Sequence, residues 1–84
     1  MPPEAPPAAR IVHRLPGRLR LRVEAKRGDA AWFDEVAATL AMISGVEQVA
    51  TAPRTASITL RHDRPPDDVL AAAAARGLFE VVDD

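Results

Sequence analysis

The residues of this chain that could do chemistry are few and mostly cationic. From Arg10 to Val23 the sequence reads RIVHRLPGRLRLRV, and its second half alternates strictly, with Arg18, Arg20 and Arg22 set against Leu19, Leu21 and Val23. Successive side chains of a strand point to opposite faces. If the leucines and the valine face a core, the three guanidiniums line the other face, where forked N–H donors suit carboxylate and phosphate groups. Arg14 and Arg61 are candidates for the same contact surface, with Gly17 shaping it. His13 and His62 are the only imidazoles, and His62 is followed by Asp63, Asp67 and Asp68. Such donors suit a hard or borderline divalent metal. Their spacing matches no strong metal motif, however, and adjacent carboxylates at a helix start are commonly caps. His13, His62 and Asp63 therefore stand as the metal-ligand alternative, and no cofactor is expected. The chain has no cysteine, so disulfides and thiolate metal sites are excluded. No nucleophile–base pair, glycine-rich phosphate loop or carboxylate dyad is present, which argues against an enzyme.

Charge is polarised along the chain. Residues 1–27 carry seven basic and two acidic side chains, a net of +5, and residues 28–84 carry four against ten, a net of −6. The asymmetry suggests an anionic partner for the first segment. Two alternatives stand beside it: internal pairing of the arginines with Glu24, Glu47, Glu80, Asp83 or Asp84, and simple solubility. The aromatic residues are Trp32, Phe33 and Phe79 alone, and none is expected on the arginine face. Base-stacking recognition of RNA is thereby disfavoured, while electrostatic contact with nucleic acid or anionic membrane stays open.

The elements that must position these groups follow from pattern. Residues 1–9 hold four prolines and read as a disordered tail, leaving 10–84 as one small domain. Arg10 to Lys26 is extended, and Pro16-Gly17 marks a turn or bulge between two strand pieces. Whether Ile11 to Arg14 forms a separate edge strand or runs into the main strand is left open. Asp29 is the expected N-cap of a helix that carries Phe33, Val36, Ala37, Leu40 and Ile43 on one stripe. Gly45 ends it in the left-handed region. Trp32 either lies over the core edge or marks a contact patch. Val46 to Ala52 and Ala56 to Arg61 are paired strands around a turn at Pro53-Arg54-Thr55, with Ala56, Ile58 and Leu60 inward and Ser57, Thr59 and Arg61 outward. His62 to Pro66 reads as a loop. A second helix from Pro66 or Asp67 to Arg76 places Val69, Leu70, Ala73 and Ala74 inward. After Gly77, Leu78 to Val82 is the last strand.

The order β-α-β-β-α-β predicts an α+β, ferredoxin-like sandwich: a four-stranded antiparallel sheet with both helices on one face. Its first and third strands would be central, which sets Arg18, Arg20 and Arg22 beside Ser57, Thr59 and Arg61 on an uncovered face.

Several of these segments resemble the heavy-metal-associated domain family. They are Gly45 to Val49, the strand Ala56 to Leu60 with His62-Asp63 behind it, the helix Asp67 to Arg76, and Gly77 to Val81. The likeness covers roughly residues 17–82. Metal-carrying members place a CxxC pair between first strand and first helix, where this chain has Glu24-Ala25-Lys26-Arg27-Gly28-Asp29. His13 to Arg20 is similar to the HxxPGRxR signature of a cysteine-less branch, whose members occur beside metal-transporting P-type ATPases. The resemblance implies a non-catalytic interaction or regulatory module in bacterial metal homeostasis. Its partner would be a metal transporter, a metal-storage assembly or another anionic body. No apolar run reaches the roughly 20 residues of a membrane span, and the N-terminus lacks the order of a secretion signal. The cytoplasm is the expected location, with peripheral contact to a membrane or compartment left open. Edge strands could also pair copies of the chain.

Overall fold

The computed structural model describes residues 6–82. Its sheet is built from β1 (Ala8–Leu15), β2 (Arg18–Arg22), β3 (Val46–Ala52), β4 (Ser57–His62) and β5 (Glu80–Val81), with α1 (Ala30–Leu40) and α2 (Pro66–Ala75) packed on it. From β2 onward the element order is the expected β-α-β-β-α-β. The sheet itself is five-stranded and mixed, in the order β3-β4-β2-β1-β5. This corrects the expectation of four antiparallel strands.

The cause is the N-terminal stretch. Pro16 and Gly17, the latter at φ 73°, reverse the chain between β1 and β2. Proline fixes the first central torsion of a turn and glycine supplies the positive second one. β1 then pairs antiparallel with β2 along its length. A strand has only two hydrogen-bonding edges, and those of β2 are filled by β1 and β4. The last strand adds instead to the outer edge of β1. It does so in parallel, with Ala8 opposite Glu80 and Ala9 opposite Val81. β1 begins at Ala8, two residues inside the stretch expected as tail, and Ala9 is fully buried. Residues 1–5 of that tail lie outside the described residues.

One core joins both helices to one side of the sheet. Leu19, Leu21 and Val23 meet Ile58 and Leu60 of the sheet and Phe33, Val36, Leu40, Val69 and Ala73 of the helices, and all of these are buried. Fully burying such side chains contributes about 1.5–3 kcal/mol each. On α2 the partly buried flank is Leu70 and Ala72, while Ala74 is exposed rather than inward. Trp32 packs over the core edge, edge-on to Phe33 at 4.9 Å, with the Lys26 ammonium 5.8 Å from its ring centre.

Asp29 caps α1 as its position suggests: its carboxylate accepts from the Trp32 amide at 3.1 Å. Asp29→Ala is expected to lower stability by about 1 kcal/mol through the freed amide, read as a shift of the urea midpoint at unchanged slope. Gly45 sits at φ 93° with the Arg64 side chain across the space a Cβ would fill; it lies in the turn before β3 and does not end the helix as expected, since α1 stops at Leu40 with Ala41 as its C-cap.

Candidate functional site: the uncovered sheet face

Directly paired residues on neighbouring strands present their side chains to the same face. The β2–β4 ladder pairs Arg18 with Arg61, Arg20 with Thr59 and Arg22 with Ser57. The neighbouring ladder pairs Arg61 with Gln48, Thr59 with Ala50 and Ser57 with Ala52. On the other flank, Leu15 opposes Arg18, His13 opposes Arg20 and Arg10 opposes Arg22. The helices pack on the opposite side, against Leu19, Leu21, Ile58 and Leu60. The expected neighbourhood of arginines with Ser57, Thr59 and Arg61 is therefore present.

Arg18, Arg20 and Arg61 are exposed, while Arg22 is half-buried and Ser57 is only 2% exposed. Ser57 keeps a local contact, its hydroxyl 2.9 Å from that of Thr55. Arg22 Nε lies 3.8 Å from Glu24 Oε1, and the same carboxylate pairs with Arg27 at 2.9 Å. Internal neutralisation thus reaches Arg22 only weakly. Among the described residues Arg18, Arg20 and Arg61 make no ion pair, and Glu47 and Glu80 do not reach them. Asp83 and Asp84 lie outside the described residues. Val12, 46% exposed, and Leu15, 44% exposed, add apolar surface. The face is thus cationic with an apolar border along β1.

Arg14 does not belong to it. The two-residue turn at Pro16-Gly17 sets Leu15 opposite Arg18, so Arg14 opposes Leu19 and shares the helix-side orientation. It borders a separate hollow with His62, Asp63, Arg64 and Pro65 at the end of the sheet. Gly17 lies at the rim of both hollows and turns the chain between them.

The two histidines are on opposite sides of the sheet. His13 is exposed beside Arg20. His62 is the last residue of β4, not a loop residue. It is 4% exposed and opposite Val46. Its Nδ1 is 2.7 Å from the Arg64 carbonyl and donates to it. Asp63 is exposed at the strand end. No group of three or more His, Cys, Asp or Glu side chains converges among the described residues.

Gln48 and Thr59 were not singled out from sequence as site residues, yet they flank Arg61 and Arg20 on this face. The outward alternation of the β4 segment carried the signal for Thr59. The alternation of Val49 and Thr51 in β3 carried the signal for Gln48, which the β3–β4 hairpin pairs with Arg61. No family model, curated protein or solved structure matches the chain. No helix among the described residues is long and apolar enough to cross a membrane.

Proposed function

We propose that the chain is a non-catalytic module that docks through its uncovered, arginine-rich sheet face on an anionic partner. The β-α-β-β-α-β order after β1, with β2 and β4 adjacent, supports a ferredoxin-like domain extended by one strand. The segments Gly45 to Val49 and His13 to Arg20 support placing it near the heavy-metal-associated family, in its cysteine-less branch. On that reading the partner is a metal transporter or metal-storage assembly of bacterial metal homeostasis, and the module works in the cytoplasm.

The observation that carries the docking reading is the set Arg18, Arg20 and Arg61: exposed, on one face, and without a carboxylate partner among the described residues. Solvated guanidiniums on a rigid sheet cost little until an acidic surface meets them, and they then gain from fixed geometry.

The test is quantitative capture of partners from the source organism by wild type and by the Arg18→Ala/Arg20→Ala/Arg61→Ala variant. Three rim charges at about 0.5–1 kcal/mol each amount to a loss of at least about tenfold. Wild-type capture should also weaken as salt shortens the screening length. Equal recovery of the same partners by both proteins would remove the docking reading.

A further inference from the structure

Arg18 and Arg61 are direct cross-strand partners in the centre of the sheet. Like charges directly opposite one another destabilise a sheet, and nothing among the described residues neutralises either of them. Gln48 stands on the far side of Arg61, and Thr59 follows along β4 on the same face. These four side chains line one concavity, with Leu15 and Ala50 as its apolar wall and floor. Among the described residues the Gln48 amide and the Thr59 hydroxyl make no hydrogen bond.

Resting on the reading of this face as an anion-docking surface, we infer that the concavity between Arg18 and Arg61 is a binding site for a phosphate monoester group. Two guanidinium forks present about four N–H donors, enough to fill the roughly four lone-pair sites of one carboxylate. An amide and a hydroxyl beside them add further donors. A tetrahedral dianion with three free oxygens takes up that set, and its charge matches the two arginines. The small side chain of Ala50 leaves room for the group over the strand surface. The ester's remainder would lie along Leu15.

The full ¹⁵N-labelled chain is titrated with inorganic phosphate at low ionic strength, and in parallel with acetate and chloride at matched ionic strength. Phosphate should give saturable shifts at the Gln48 and Thr59 amides and at the Arg18 and Arg61 guanidiniums. Acetate and chloride should give only small, non-saturating ones. Arg61→Gln should weaken phosphate at least tenfold. Arg61→Lys, which keeps the charge and loses the fork, should also weaken it. Arg54→Gln, in the turn outside the concavity, should not. Retained core resonances show that each variant is folded. Arg61→Glu gives a second readout: it should raise the melting temperature by pairing with Arg18 while removing the phosphate response.

Non-saturating phosphate shifts, an equal response to acetate, or unchanged affinity in Arg61→Gln would overturn the site. Sedimentation with phosphatidylcholine vesicles, with and without phosphatidic acid, separates the sources. Phosphatidic-acid-dependent binding that is lost in Arg61→Gln assigns a lipid headgroup. Saturable phosphate binding without sedimentation assigns a small soluble ester. Partner capture distinguishes the two levels. If the triple-alanine variant keeps its partners while phosphate saturates in wild type, the docking reading fails and the phosphate site stands. If the variant loses its partners while phosphate does not saturate, the site fails and docking stands.

Discussion

Leu21→Ala is expected to cost about 2–5 kcal/mol, while Arg20→Ala, one residue away on the same strand, should change stability by no more than about 0.5 kcal/mol. Leu21 is fully buried and paired with Ile11 on one side and Ile58 on the other. Truncating it removes transfer free energy and leaves a cavity that the paired backbones on both flanks keep from closing. Arg20 is exposed and makes no ion pair among the described residues, so its removal loses little and relieves some crowding of positive charge. Small domains hold about 5–15 kcal/mol in total. The leucine variant should therefore unfold at a much lower urea concentration, with the slope kept. Similar midpoints for the two variants would mean that the strand does not separate core from solvent as described.

Ala9→Glu is expected to lower stability by about 2–4 kcal/mol, from overpacking and from desolvating a carboxylate. Ala9 is fully buried in the same core as Phe79, and its carbonyl accepts from the Val82 amide at 2.9 Å. A glutamate has no room there unless β1 and β5 part. Ala8→Gln, at the exposed neighbouring position, should be close to neutral. Hydrogen exchange adds a local readout: the Val82 and Glu80 amides, which bond to Ala9 and Pro7, should lose protection in Ala9→Glu first. A read of residues 1–9 as tail expects no effect at either position. Unchanged exchange and an unchanged midpoint in Ala9→Glu would favour that read and move the start of β1 further along the chain.

The same contrast runs through the rest of the chain. Alternation at Arg18 to Val23 is a local property, and it fixes which side chains share a face whatever the strand pairs with. The stripe from Phe33 to Leu40 and the cap at Asp29 are local too, and each stands where its residues place it. The burial of His62 was also legible, since Ala56, Ile58, Leu60 and His62 form one alternating series. Its polar side chain and the prolines behind it gave the appearance of a loop.

Other features were not local. Ile11 and Arg10 change sides because an extra residue in β1 shifts the pairing with β2, and one inserted residue reverses the parity of everything beyond it. Ala8 and Ala9 carry no strong strand signal; they become strand because β5 meets them. Val46 meets His62 through a second register shift, in β3.

The sequence by itself determined the period of each element, the caps, and the division of β2 into an apolar and a cationic side, because these depend on bond geometry within a few residues. Only the tertiary structure decided that β1 fills the free edge of β2, that β5 pairs in parallel at the rim, and that Arg18 stands directly against Arg61. Those outcomes depend on which hydrogen-bonding edges remain open once distant strands have met, and no stretch of the chain encodes that alone.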